Sequence, residues 1–120
     1  MKKIRVGIIG LGYVGLPIAI ILSKKFNVIG FDINKQRINE LRKKKDITRE
    51  IDLNKIKSKK FELTSNKDKI KDCNFYIITV PTPVSKNNHP DLSHLRNASQ
   101  TVAKYLKKKD MVVYESTTYP

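Results

Sequence analysis

Residues 4–32 read IRVGIIGLGYVGLPIAIILSKKFNVIGFD, and this stretch decides the fold. An apolar run, Ile4 to Ile9, leads into Gly10, Gly12 and Gly15, spaced G-x-G-x-x-G. A second apolar run, Tyr13 to Leu22, follows, and Val28 to Phe31 forms a third. Asp32 closes the stretch, 17 residues beyond Gly15. Strand, glycine turn, helix, second strand and acid, in that order, make the fingerprint of a dinucleotide site. Each position has a physical reason. Gly10 permits a tight turn out of the strand. Gly12, lacking a side chain, lets the backbone come close to a pyrophosphate. Gly15 lets the helix pack near the strand. The pyrophosphate is then expected at the helix N-terminus, where free N–H groups and the helix dipole favour an anion. Asp32 can accept hydrogen bonds from an adenosine ribose. Glycines also mark ordinary turns in other α/β folds, but here the flanking runs and the distance to the acid favour the dinucleotide reading.

At 120 residues the chain has room for one domain with a real core. No apolar run reaches the ~18 residues of a membrane span. The longest candidate, Gly7 to Leu22, carries glycines and Pro17 that suit a strand, turn and helix better. Met1-Lys2-Lys3 looks superficially like the start of a signal peptide, yet no small-residue cleavage site follows, so a cytoplasmic protein is expected. The single cysteine, Cys73, excludes an internal disulfide and any multi-cysteine metal site, and no metal is expected. It precedes the apolar run Phe75 to Val80 and reads as a buried structural thiol rather than a reactive one.

The net charge is +14, with lysines clustered at 43–45, 55–60, 67–71 and 107–109. A basic surface can attract nucleic acid, and a nucleic-acid binder is a competing reading on charge alone. No nucleic-acid module and no basic strand interleaved with aromatics is recognisable, so solvated lysine faces are expected, with neither nucleic acid nor membrane as partner. A basic field also helps gather an anionic cofactor. His89 lies in a polar loop and His94 begins a helix; nothing places a third group to orient either, so surface or capping roles are expected.

The pattern predicts a strand over 3–9, a turn over 10–12 and a helix over 13–25 that is apolar on nearly every face and therefore buried. Pro17 belongs in or near its first turn, where a missing N–H matters least. After strand 28–31, Asn34 can cap a helix to about Arg42, with Ile38 and Leu41 inward. Residues 43–60 read as a loop or short irregular helices, with Ile47, Ile51, Leu53 and Ile56 scattered among charges. A short strand over 61–63, a short helix over 66–71 and a buried parallel strand over 75–80 follow. Pro81 and Pro83 stop that strand, and 84–90 is a polar loop. Asp91 or Ser93 can cap the next helix, whose core stripe is Leu92, Leu95, Val102, Ala103 and Leu106. Met111 to Tyr114 is the fifth strand.

Alternating strands and helices imply an α/β fold, a Rossmann-type doubly wound parallel sheet of order 3-2-1-4-5 in a single domain over 1–120. Ligands bind such sheets where the order reverses, outside the carboxyl ends of the strands. That rule selects Gly10 to Val14, Asp32, Val80 to Pro83 and Glu115 to Thr118.

The segments GIIGLGYVGLPIA, VIGFDINKQRI, ITVPTPVSKNNHPDL and VVYESTTYP resemble the UDP-glucose/UDP-N-acetylmannosamine dehydrogenase family across essentially the whole chain. The last two look most like the branch that oxidises UDP-N-acetylhexosamines, such as UDP-N-acetylglucosamine, for surface-polysaccharide synthesis. The resemblance implies NAD as cofactor, with Gly10, Leu11, Gly12, Tyr13, Val14 and Gly15 cradling its pyrophosphate. It implies Asp32 at the adenosine ribose and Arg37 near the adenosine. Val80, Pro81 and Thr82 should line the cofactor, and Ser116 and Thr117 should lie by the nicotinamide, Thr117 helping to place a water. Glu115 precedes them, as a catalytic candidate or a structural carboxylate at a strand end.

Members of the family oxidise a sugar C6 alcohol to a carboxylate in two steps, reducing two NAD, with a cysteine thiolate in a later domain capturing the aldehyde. The G-x-C-x-P-x-D motif of that cysteine is absent here, and Cys73 does not match it. The chain is therefore expected to be the N-terminal NAD-binding part of a longer dehydrogenase, inactive alone, with the UDP-sugar bound only by the full-length enzyme, a homodimer or higher assembly. A non-catalytic dinucleotide-sensing module is the alternative, against which VPTP and ESTTYP argue.

Overall fold

In a computed structural model of the chain the described residues are 3–43, 61–84 and 87–115. Strand β1, Arg5–Ile9, has the alternating side-chain directions of any strand, and both of its faces are buried. Val6 and Ile8 join one core cluster and Ile9 the other. Strand β4, Phe75–Ile78, divides in the same way, with Ile77 on the first side and Tyr76 and Ile78 on the second. Strands β2 (Asn27–Phe31), β3 (Phe61–Thr64) and β5 (Met111–Tyr114) complete a sheet of order β3-β2-β1-β4-β5, parallel at every pairing. This is the doubly wound arrangement that the alternation of elements implies.

Helices α1 (Gly15–Ser23) and α2 (Lys35–Lys43) cover the Val6–Ile8 face through Ala19, Ile38 and Leu41. Helix α3 (Ser93–Tyr105) and a 3-10 turn at Lys67–Ile70 cover the other through Ala98, Val102 and Ile70. The register sets Ile9 beside both Phe31 and Ile78. The residues that leave these strands, Gly10, Asp32 and Thr79, therefore emerge side by side at one end of the sheet.

Local sequence explains the boundaries. Asn34 Oδ1 accepts from the N–H groups of Gln36 and Arg37 at 3.0 and 3.2 Å, capping α2 as its position suggests. Asn66 caps the 3-10 turn through Asp68 N–H, and Asp91 receives Ser93 N–H at 2.9 Å just ahead of α3. At the opposite end of the sheet Lys107 forms a clasp. Its Nζ donates to the carbonyls of Lys71 and Cys73, each at 3.1 Å, and pairs with the Asp110 carboxylate, which is 3% exposed, at 3.2 Å.

Four expectations are corrected. Helix α1 is shorter than 13–25, because Tyr13 and Val14 belong to the turn; Pro17 does fall in its first turn. It is also not buried all round. Only Gly15, Ala19 and Ser23 are buried, and Ile21 is 63% exposed, since a helix in a layer over a sheet offers it a single face. The core stripe of α3 runs through Leu95, Ala98, Val102 and Tyr105, while Leu92 and Leu106 lie half out at its ends and Ala103 faces solvent. Strand β4 ends at Ile78, before Val80. Cys73 is buried, and its thiol is pushed up to about 12, chiefly by burial. The expected irregular stretch through Ile47, Ile51, Leu53 and Ile56, and the lysines within it, lie outside the described residues.

Candidate functional site

At the carboxyl end of β1 the chain turns at Gly10, whose φ of +106° suits glycine and strains other residues. Gly10 N–H donates to Phe31 O at 2.8 Å, tying the turn to β2. A Cβ on Gly15 would lie 1.8 Å from the Gly10 carbonyl oxygen, so only glycine lets α1 start this close to the turn. Gly12 is the opposite case. A Cβ there would meet nothing within 4 Å, because this backbone faces open space.

Asp32 stands across from the turn with both carboxylate oxygens engaged. Oδ2 accepts from Leu11 N–H at 3.0 Å and Oδ1 from Asn34 N–H at 2.9 Å. Arg37, one turn into α2, donates from Nε to the Leu11 carbonyl at 3.0 Å. Leu11 is thus held at its N–H by an acid and at its C=O by a cation. The N–H groups of Gly12, Tyr13 and Val14 donate to no acceptor among the described residues. They form a patch of unsatisfied donors at the start of a helix, the arrangement that receives anionic oxygen.

A cavity of about 440 Å³ opens between this turn and α3. Gly10, Leu11, Gly12, Asp32, Arg37, Val80 and Pro81 line it, bringing together residues that the sequence singled out from three separate segments. Tyr13 is fully exposed and Val14 half-buried at the helix entry. Gly15 is packed behind the turn, and Thr82 is half-buried beyond the cavity wall. Glu115 is exposed, its N–H donating to Ile78 O at 2.9 Å, and it does not reach the cavity. Ser116 and Thr117 lie outside the described residues.

The sequence reading missed the far wall, which is formed by His94, Asn97, Ala98 and Thr101 on α3. Their signal was the helical spacing of 94, 97 and 101, which brings three polar side chains to one face. His94 is exposed, as expected, but it faces the cleft rather than bulk surface alone. Nearby, hydrogen bonds from Ser93 hold the Asp91 carboxyl below the usual carboxylate range.

A parallel sheet of this order, with a glycine turn and an acid at the point where the order reverses, defines a dinucleotide-binding domain. The chain belongs to the UDP-glucose/GDP-mannose dehydrogenase family, whose NAD binding domain matches residues 4–120. It is 48% identical to the UDP-N-acetyl-D-glucosamine 6-dehydrogenase of Pseudomonas aeruginosa, over 100% of this chain and 29% of that protein. It is 50% identical to Protein CapL of Staphylococcus aureus, over 96% of this chain and 27% of that one. Among solved structures, the UDP-D-ManNAc dehydrogenase of Pyrococcus horikoshii superposes with a TM-score of 0.83 at 33% identity, covering 98% of this chain and 29% of its own. The chain spans under a third of the length of the relatives it matches. Among the described residues no helix is long and apolar enough to cross a membrane.

Proposed function

We propose that this chain binds NAD for a cytoplasmic dehydrogenase that oxidises the C6 alcohol of a UDP-N-acetylhexosamine to a carboxylate. The observation that carries the cofactor assignment is the pairing of the open Gly12 backbone with Asp32 across the turn. The sugar assignment rests on the 48% identity to a UDP-N-acetyl-D-glucosamine 6-dehydrogenase over the whole chain.

The donor set fits NAD. Unsatisfied N–H groups from Gly12 to Val14 suit the pyrophosphate. The lone pairs that Asp32 keeps beyond its two backbone bonds suit the adenosine ribose hydroxyls. Arg37 closes the adenosine end of the cavity, with Val80 and Pro81 along another wall and Thr82 just beyond them. Bound NAD supplies the hydride acceptor for oxidation at C6. In this reading Ser116 and Thr117 serve the nicotinamide half of the cofactor, Thr117 through a water. Glu115 is a weaker candidate, since its side chain faces solvent.

Capture of an aldehyde needs an accessible thiolate. Cys73 is unsuited, being buried with its thiol pushed up to about 12. That blocks the second oxidation, and with the UDP-sugar held only by the full-length enzyme in this reading, the chain alone is expected to bind NAD and to oxidise no UDP-sugar. Absorbance of NADH during incubation with UDP-N-acetylglucosamine, UDP-N-acetylgalactosamine, UDP-N-acetylmannosamine and UDP-glucose tests this. Steady NADH formation by the purified chain would contradict it.

A further inference from the structure

We propose that Thr79 is a positioning residue for the anion-binding turn, its hydroxyl fixing the direction in which the turn presents its N–H groups. The proposal rests on the NAD-binding reading above and deepens it. Thr79 follows β4 and is buried, 6% exposed, with its hydroxyl turned to backbone carbonyls. Its N–H donates to Ile9 O at 2.8 Å, continuing the sheet. Its hydroxyl oxygen lies 2.6 Å from Gly10 O and 3.2 Å from Ile9 O. It has one proton to give, and the shorter contact takes it.

The Gly10 carbonyl and the Leu11 N–H belong to one planar peptide and point in opposite directions. Thr79 holds the carbonyl end, and Asp32 holds the N–H end at 3.0 Å. The next peptide is held at Leu11 O by Arg37. Its other end, Gly12 N–H, must then point away from Arg37. Side chains just beyond β4 and β2 and on α2 thus set two consecutive peptides, and the donors that follow inherit their aim.

The glycine at position 15 gains a second meaning. A Cβ there would sit 2.3 Å from Thr79 Oγ1 as well as 1.8 Å from Gly10 O. Gly15 makes room for this hydroxyl as well as for the helix.

Replacing the hydroxyl by a methyl leaves Gly10 O without a donor among the described residues and the peptide gripped from one side. The loss then falls on the part of the ligand that meets the turn, the pyrophosphate, and spares the adenosine end at Asp32. The experiment is NAD titration by calorimetry and adenosine titration by NMR on the full chain and on Thr79→Val and Thr79→Ser. The Val variant is expected to bind NAD about tenfold more weakly, the scale of one hydrogen bond. Its adenosine affinity stays within about twofold, and Ser restores NAD binding. Equal NAD affinity in Thr79→Val, or equal losses for NAD and adenosine, would overturn the proposal. If Thr79→Val does not fold, Thr79→Cys against Thr79→Ser reads the same contrast, since the two differ only in the donor atom. Cys is expected to weaken NAD and not adenosine, and no difference between them overturns the proposal. A folded wild-type chain that binds no NAD instead removes the functional reading beneath it.

Discussion

Asp32 and Leu11 are 21 residues apart, yet Asp32 Oδ2 accepts the Leu11 N–H at 3.0 Å. This bond places the acid that ends the second strand against the turn that ends the first. It also means that the acid shapes the turn before any ligand arrives. Loss of the side chain therefore removes both a ligand contact and a support of the turn.

Asp32→Ala is expected to weaken NAD binding by about 1–3 kcal/mol, the cost of losing hydrogen bonds to a charged group. Asp32→Asn, which keeps one acceptor, is expected to fall between Ala and wild type. Calorimetry on folded variants checks this, and undiminished affinity in Asp32→Ala would remove the residue from the site.

The glycines separate folding from binding. Gly12→Val has open space for its side chain and is expected to fold with little change in stability, while filling the place of the pyrophosphate and abolishing NAD binding. Gly15→Ala places a Cβ 1.8 Å from a backbone oxygen and is expected to cost at least about 1–3 kcal/mol of stability through overpacking. Thermal melts and NAD titrations of both variants distinguish the two effects.

Much of this arrangement was legible in the sequence. The strands and their order follow from short apolar runs separated by helical patterns, and the turn follows from Gly10, Gly12 and Gly15. The contribution of α3 to the cleft was not legible, because His94, Asn97 and Thr101 look like any solvated helix face until the sheet order brings them opposite Asp32 and Arg37. Thr79 was hidden for a related reason. Within an apolar run its hydroxyl has no local partner, and Gly10 O lies 69 residues away in sequence. The exposure of Ile21 was missed because composition reports how apolar a helix is, not how many layers cover it.

Cys73 is expected to resist alkylation in the folded chain. Its thiol, pushed up to about 12 from an ordinary value of 9.0, stays protonated at neutral and mildly alkaline pH. The stability this burial contributes is fully present below pH 9 and is lost as pH rises from there toward about 12, because the unfolded thiol ionises first. Iodoacetamide labelling at pH 8, with and without denaturant, checks the first point. Urea melts of wild type and Cys73→Ala at pH 8 and pH 10 check the second, the variant losing less stability between the two.

Lys107→Met is expected to destabilise the fold by about 1–3 kcal/mol, more than an exposed ion pair is worth, because two carbonyls and a buried carboxylate lose a charged donor. NAD affinity of the folded variant is expected to be unchanged, since the clasp lies at the opposite end of the sheet from the cleft. Chemical denaturation and calorimetry measure the two quantities separately.

The most direct test of the cofactor assignment is one calorimetric comparison of NAD and NADP on the folded chain. Asp32 accepts from ribose hydroxyls and repels a 2′-phosphate at the same place, so saturable NAD binding at least about tenfold tighter than NADP is expected. Equal affinity for the two cofactors, or no NAD binding by the folded chain, would contradict the assignment of this cleft.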